Sequence, residues 1–243
     1  MIKLFEVGGC VRDEILGIHT KDIDFTVVID KPGEDLSVDE GWFLMKHFLL
    51  TEGFKLFLET KDCFTIRAMF PKEHKHEGLV ADFVLARKEV GVVPGTRKPV
   101  LELGTLEDDL TRRDFTVNAL CKKDDGSLID LFDGQQDLQD KVLKTPLDPM
   151  TTLMDDPLRL LRGLRFSITK GFTLSDDLHK AMLQPELLTK LKEVVSQERM
   201  REEVQKMMKH DTAKSLSLMS QIPWLIEVVF SDGLWLMPTT KQV

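Results

Sequence analysis

The 243-residue sequence lacks tyrosine, has only three cysteines and contains no long apolar run. A membrane-spanning helix needs about 18 or more consecutive apolar residues, so we expect no membrane contact, and the first residues lack the apolar segment of a signal peptide. The cysteines, Cys10, Cys63 and Cys121, are odd in number and scattered, without a C-x-x-C metal pair. We therefore expect free thiols in a reducing compartment, the cytoplasm.

The chain also lacks an excess of positive charge. Its net charge of −8 argues against a protein that coats nucleic acid through bulk charge. The distribution is uneven, because residues 1–158 carry a net −11 and residues 159–210 carry a net +4. Hydrophobic residues make up 42% and charged residues 30%, which is typical of a globular protein with a real core. These values predict an acidic first segment joined to a modestly basic one.

The spacing of apolar residues changes along the chain. Strands are predicted at the short apolar runs Ile2–Val7, Ile23–Ile29, Phe54–Leu58, Phe64–Phe70 and Leu79–Leu85. Residues 88–105 contain several glycines and prolines with little periodicity, which predicts a mobile loop. From about residue 156 the apolar spacing becomes helical, as at Leu158, Leu161, Leu164 and Ile168. The sequence therefore predicts an α+β segment followed by an all-α segment.

The first cluster of residues suited to binding or catalysis is Gly8-Gly9-Cys10-Val11-Arg12-Asp13, between a predicted strand and a predicted helix. Glycines let the backbone approach a ligand closely, and the start of a helix favours anions. Arg12 would add a charge-assisted hydrogen bond to a phosphate. The alternative is a tight turn followed by a surface arginine.

The second cluster is Asp22-Ile23-Asp24, at the start of a predicted strand. Side chains alternate along a strand, so Asp22 and Asp24 are expected on one face and Ile23 on the other. Neighbouring carboxylates repel each other unless a cation lies between them, and oxygen ligands suit Mg²⁺. Asp82, in another predicted strand, is a candidate third carboxylate. The alternative is a polar strand end on a solvated face.

The third cluster, EDDLTRRDFTVN at Glu107–Asn118, is dense in planar hydrogen-bonding groups. The alternative there is an ordinary helix start with Asp114 as its N-cap.

The fourth cluster runs from Asp155 to Phe166, and Asp156 with Pro157 predicts a capped helix start. A carboxylate and a guanidinium held together match the hydrogen-bonding edge of a base, whereas the alternative is capping plus a surface ion pair.

Taken in order, these segments resemble the class II tRNA nucleotidyltransferases, which comprise CCA-adding enzymes and related bacterial poly(A) polymerases. The resemblance rests on GGCVRDEILG, KDIDF, ADFVLARKE, GTLEDDLTRRDFTVNAL, LIDLFDGQQDLQDKVLKT and DDPLRLLRGLRF. It covers residues 5–168 and continues more weakly to residue 209. It implies an α+β, polymerase-β-like head with a mixed sheet at residues 1–145. An all-α, nucleotide-selecting neck at 146–210 and a short helical body remnant at 211–243 would follow.

The resemblance also implies a reaction and a set of site residues. The 3′-hydroxyl of tRNA would attack the α-phosphate of CTP or ATP and release pyrophosphate, with two Mg²⁺ ions as cofactors. The implied sites are Gly8, Gly9 and Arg12 for the triphosphate; Asp22 and Asp24 for the metals; Asp82 for activating the hydroxyl; Arg113, Asp114 and Asn118 for the ribose and nucleotide; and Asp156, Arg159 and Arg162 for base selection. The 88–105 segment corresponds to the flexible element associated with the switch from C to A addition.

The sequence departs from the family pattern in two places. Its base-selecting motif begins Asp155-Asp156, where the family often has Glu-Asp, and only 34 residues follow Lys209, where family members carry body and tail domains that grip tRNA. We expect a compact form, a truncated product, or tRNA contacts supplied by a homo-oligomer or a partner subunit. The alternatives are a poly(A) polymerase, an enzyme adding only C or only A, and an inactive nucleotide- or RNA-binding module.

Overall fold

A computed structural model describes residues 1–20, 22–30, 36–92, 99–231 and 233, without the side chains of residues 89, 92 and 99. Residues 93–98 of the predicted 88–105 loop lie outside the described residues. So do residues 232 and 234–243 of the predicted 211–243 segment. The chain divides into two compact units: unit 1 comprises residues 1–113 and 117–135, and unit 2 comprises residues 114–116 and 136–243.

Unit 1 contains a mixed sheet with flanking helices. Its strands are β1 Ile2–Val7, β2 Ile23–Ile29, β3 Lys55–Thr60, β4 Thr65–Met69, β5 Val80–Leu85, β6 Arg87–Val92, β7 Pro99–Leu103, β8 Leu120–Lys122 and β9 Leu128–Asp130. Its helices are α1 Gly9–Ile15, α2 Val38–Thr51 and α3 Leu106–Thr111, and α4 Gly134–Asp140 begins in unit 1 and ends in unit 2. A short 3-10 turn lies at Lys61–Cys63, and another at Thr116–Asn118 begins in unit 2 and ends in unit 1.

Seven of these strands pair in the order β3-β4-β5-β2-β1-β8-β9, with β2 and β5 parallel and the other neighbours antiparallel. Alternation along β2 and β5 places Phe25 and Phe83 on the core face, where their rings stack 5.1 Å apart. Met45 and Leu49 of α2 are fully buried. Residues 24 and 82 therefore lie on the opposite face of the sheet.

Unit 2 is built mainly from helices. These are α5 Pro149–Asp155, α6 Leu158–Thr169, α7 Asp176–Met182, α8 Pro185–Val194, α9 Gln197–His210, α10 Thr212–Met219 and α11 Leu225–Val229, with the short strands β10 Val142–Leu143 and β11 Thr173–Leu174. Helix α6 packs on α9, and Leu160, Leu164, Val204 and Met207 of these two helices are buried. Burying such side chains stabilises a fold by about 1.5–3 kcal/mol each, which explains the helical spacing of the sequence. None of the described helices combines the length and apolarity needed to cross a membrane.

The predicted fold class, a mixed-sheet α+β segment followed by a helical segment, is confirmed. The prediction of a loop over residues 88–105 is wrong for its two ends, which pair as the antiparallel strands β6 and β7. The valines there supply strand propensity that the neighbouring glycine and prolines concealed. The predicted N-cap of α6 is also shifted by one residue, because the N-cap is Pro157 and α6 begins at Leu158. The Asp156 side chain still accepts the Leu158 N–H at 3.3 Å.

Candidate functional site

Two of the predicted catalytic carboxylates occupy matching positions on neighbouring strands. Asp24 on β2 and Asp82 on β5 are direct register partners, so their side chains lie on the same face of the sheet. Asp22 immediately precedes β2. Burial raises the pKa of Asp24, and the negative charges of Asp82 and Asp22 raise it further, against the lowering effects of Arg113 and Arg67. Asp24 therefore interacts electrostatically with both of the other predicted carboxylates.

An arginine that the sequence analysis missed, Arg67, completes this row of side chains. Arg67 on β4 is the register partner of Asp82. Its Nε donates to Asp82 Oδ1 at 2.8 Å and its Nη2 donates to Asp82 Oδ2 at 2.6 Å, a two-bond guanidinium–carboxylate pair. The only sequence signal was a single arginine in an otherwise apolar strand.

Asp22 and Asp24 are oxygen donors of the kind that Mg²⁺ prefers. Within the described residues, no three His, Cys, Asp or Glu side chains lie close enough together to hold a metal as they stand. Mg²⁺ is usually bound by one or two carboxylates, with water and substrate phosphates completing its shell. Asp22 and Asp24 supply such a pair of oxygen donors. The raised pKa of Asp24 also reflects carboxylate repulsion that a cation would relieve.

The predicted triphosphate residues lie around the end of β1. Gly8 has a φ of 77°, a left-handed conformation that favours glycine, and a Cβ there would lie 2.7 Å from Arg113 Nη1. α1 begins at Gly9. Arg12 is buried and donates from Nη1 to Asn118 Oδ1 at 2.5 Å and from Nε to Asp13 Oδ1 at 2.8 Å. The structure thus brings Gly8, Arg12, Arg113 and Asn118 into one contact network.

A buried carboxylate that the sequence analysis did not single out organises this network. Asp109 on α3 accepts from Thr26 Oγ1 at 2.6 Å and from Arg113 Nη2 at 2.9 Å through Oδ2, and from Arg112 Nη2 at 2.5 Å through Oδ1. Burial would raise its pKa, but the charges of Arg113 and Arg112 and the hydrogen bonds lower it to about 2. Arg113 Nε is buried without a hydrogen bond among the described residues, a donor that a ligand oxygen would satisfy.

Unit 2 contains the predicted base-selecting residues. Arg162 donates from Nε and Nη2 to Asp114 Oδ2 at 2.8 and 2.6 Å. Burial lowers the pKa of Arg162, but Asp114 and Glu203 raise it more, so the net shift is upward. Arg165 Nε also donates to Glu203 Oε2 at 2.6 Å. The partly buried Arg162 is therefore held by acids, and the buried Glu203 was missed by the sequence analysis.

Asp156 and Arg159 are held by separate partners. Arg199 of α9, another residue that the sequence analysis missed, donates from Nη2 to Asp156 Oδ2 at 3.0 Å. Arg159 Nη1 donates to the backbone oxygen of Thr152 at 3.0 Å. The backbone N–H of Arg159 also donates to the oxygen of Asp156 at 3.0 Å, as expected at a helix start. Both planar groups are thus oriented by contacts within unit 2.

Comparison with known proteins identifies the family. A family profile described as the poly A polymerase head domain matches residues 4–144. The tRNA nucleotidyltransferase cca2 of Schizosaccharomyces pombe is 35% identical over 85% of this chain and 43% of its own length. The A-adding tRNA nucleotidyltransferase of Aquifex aeolicus is also 35% identical, over 79% of this chain and 21% of its own length. The chain thus spans less than half the length of these two curated relatives.

A solved structure extends the similarity over both units. A tRNA nucleotidyltransferase in complex with a primer tRNA and an incoming ATP analogue matches with a TM-score of 0.67 and 26% sequence identity. The match covers 97% of this chain and 61% of that one. This chain therefore belongs to the class II CCA-adding tRNA nucleotidyltransferase family, which shares the poly(A) polymerase head domain.

Proposed function

We propose that this chain is a template-independent nucleotidyltransferase that adds C, A or both to the 3′ end of tRNA. The row formed by Asp24 and Asp82, with Asp22 beside it, carries the proposal, because such carboxylates suit two-metal phosphoryl transfer. We propose tRNA as the partner because the relatives named above are tRNA nucleotidyltransferases. The three cysteines are free thiols, which suits a reducing compartment, and we propose the cytoplasm.

In the proposed reaction the 3′-oxygen of the RNA forms a bond to the α-phosphorus of CTP or ATP, and the bond to the β-phosphate oxygen breaks. Pyrophosphate leaves, and the hydroxyl loses its proton. Mg²⁺, when bound by Asp22 and Asp24, would stabilise negative charge on the attacking and leaving oxygens. Asp82 would accept or orient the hydroxyl proton.

The remaining unit 1 residues would bind the nucleotide. Gly8 and Gly9 let the triphosphate approach the backbone, and Arg12 adds positive charge there. Arg113 and Asn118 would contact the ribose, which the buried, unsatisfied Arg113 Nε supports. Asp109 would position Arg113 through the contacts described above.

In unit 2, Asp156 and Arg159 would read the base. A carboxylate accepts from an exocyclic amine, and a guanidinium donates to ring nitrogen or carbonyl, so cytosine and adenine would be accepted over uracil and guanine. Arg162 and Asp114 would support these groups through their ion pair.

The test is incorporation into two synthetic tRNAs, one lacking CCA and one ending in CC, with CTP and ATP supplied singly and together. With both nucleotides we expect three additions to the tRNA lacking CCA and one to the tRNA ending in CC, each strictly dependent on a divalent cation. CTP alone should add two C to the first tRNA, and addition of C only under every condition would identify a C-adding enzyme. Addition of A only to the CC-ending tRNA would identify an A-adding enzyme, which the Aquifex aeolicus relative favours. Long A tails on unrelated RNAs would instead identify a poly(A) polymerase. Nucleotide binding without any incorporation would identify an inactive module and contradict the proposal.

Arg159→Ala is expected to relax base selection more than it lowers turnover. Loss of the guanidinium removes hydrogen bonds that differ between the correct and incorrect bases, worth about 1–3 kcal/mol or about 10–100-fold in selectivity. The measurement is kcat/KM for CTP, ATP, GTP and UTP on the same tRNA. Lys192→Ala, an exposed change on α8, is the matched control. If Arg159→Ala rejects GTP and UTP as well as the parent does, the base-reading role is wrong.

A further inference from the structure

A row of three charged side chains crosses neighbouring strands of the unit 1 sheet. Arg67, Asp82 and Asp24 occupy successive register positions on β4, β5 and β2. The guanidinium bonds both oxygens of Asp82. We propose that Arg67 is a positioning residue that clamps Asp82 for nucleotide addition and does not itself bind nucleotide or RNA. This inference rests on the proposed function, because it assigns Asp82 a part in that reaction.

The geometry favours orientation as the role of this pair. A two-bond pair of planar groups fixes both the rotamer and the tilt of a carboxylate, which a single hydrogen bond does not. The side chains of Arg67 and Asp82 are 54% and 26% exposed, and ion pairs at such positions contribute little to stability. A catalytic carboxylate displaced by about 1 Å loses much of its effect. The pair therefore matters for where the Asp82 oxygens lie.

The charges in the row give the clamp a second consequence. Asp24 and Asp82 repel each other as register partners, and Arg67 lies on the side of Asp82 away from Asp24. The guanidinium therefore draws the Asp82 carboxylate toward β4 and compensates its charge. The positive charge of Arg67, one strand beyond Asp82, also opposes the binding of a divalent cation at Asp24. Removing Arg67 should thus weaken catalysis while strengthening cation binding, two effects of opposite sign.

The experiment compares Arg67→Gln, which loses charge and clamp, with Arg67→Lys, which keeps the charge and loses the two-bond geometry. For each variant we would measure kcat and KM for nucleotide and tRNA, the thermal midpoint, and the affinity for Mn²⁺ without nucleotide. Lys46→Gln is the matched control, because Lys46 forms a similar exposed pair with Glu59 at 2.8 Å on neighbouring elements. Arg67→Ala would also be assayed with millimolar guanidinium ion, using ammonium as the control cation.

We expect Arg67→Gln to lower kcat by about 10–100-fold and to keep both KM values within about threefold. It should bind Mn²⁺ about threefold or more tightly than the parent. Arg67→Lys should lower kcat but keep parental Mn²⁺ affinity, and guanidinium should partly restore Arg67→Ala. The thermal midpoints should shift no more than that of Lys46→Gln, which separates positioning from a structural role.

Parental kcat in Arg67→Gln would overturn the inference while leaving the proposed function intact. So would a raised KM for tRNA at parental kcat, since that result identifies Arg67 as an RNA contact. If the parent chain incorporates no nucleotide, the proposed function fails, and the Mn²⁺ titration still decides the electrostatic part. Unchanged Mn²⁺ affinity in Arg67→Gln would then overturn the inference as well.

Discussion

Asp24→Asn is expected to lower nucleotide incorporation by about 1000-fold or more and yet to unfold at a higher temperature than the parent chain. The loss of activity follows because an amide lacks the negative charge that a divalent cation requires, and cation stabilisation of the reacting oxygens is worth several kcal/mol. The gain in stability follows because folding places the Asp24 carboxylate near Asp82 and Asp22 in a half-buried position. An isosteric amide removes that repulsion without leaving a cavity.

The pH dependence gives this prediction a definite sign. Burial and the neighbouring carboxylates raise the folded-state pKa of Asp24 above its ordinary value of 3.8. A raised carboxyl pKa means that the folded state favours the protonated form, so the ionised group destabilises the fold at neutral pH. The stability advantage of Asp24→Asn should therefore be largest near pH 7, and it should fall as the pH drops through the raised pKa toward 3.8.

Thermal unfolding from pH 7 to pH 4, with chelator present, measures this advantage. Asp30→Asn is the matched control, because Asp30 follows the same strand and forms an exposed pair with Lys3 at 2.6 Å. Added Mg²⁺ should stabilise the parent more than Asp24→Asn, since only a bound cation shifts the unfolding equilibrium. A lower midpoint for Asp24→Asn at pH 7 would contradict the electrostatic account, and retained incorporation would contradict the metal role.

Local rules predict the two strands of the carboxylate row and the face that each carboxylate occupies, but not the pairing that brings them together. The apolar runs identify β2 and β5, and alternation along a strand determines which face Asp24 and Asp82 occupy. The pairing of β2 with β5 joins segments more than fifty residues apart, and no local pattern encodes it. Arg67 was missed for the same reason, because its significance appears only once β4 pairs with β5 in register.

The helical segment shows the same division between local and long-range information. The spacing of apolar residues predicts α6, and Asp156 with Pro157 predicts its start to within one residue. The partners of the charged side chains come from elsewhere in the chain. Arg162 bonds Asp114, 48 positions earlier, and Asp156 bonds Arg199, 43 positions later. Side-chain networks of this kind follow from tertiary packing and not from periodicity.

Asp109→Asn is expected to destabilise the chain by about 3 kcal/mol at pH 7, the usual cost of removing one member of a buried ion-pair network. The Asp109 side chain is only 1% exposed and accepts from Thr26, Arg112 and Arg113. An amide removes the negative charge and turns a donor toward two guanidinium groups, leaving the partly buried Arg113 without its counter-charge. Urea unfolding measures the loss, and Glu107→Gln, an exposed change on the same helix, should cost less than about 0.5 kcal/mol.

The difference in unfolding free energy between the parent and Asp109→Asn should become smaller at acidic pH. The folded-state pKa of Asp109 is about 2, below its ordinary value of 3.8, so its charge stabilises the fold above pH 3.8. That contribution is about 2 kcal/mol and is lost as the pH falls from 3.8 toward about 2. The parent should therefore lose stability over this interval faster than Asp109→Asn. A difference in unfolding free energy that stays constant from pH 5 to pH 2.5 would show that the charge of Asp109 does not stabilise the fold.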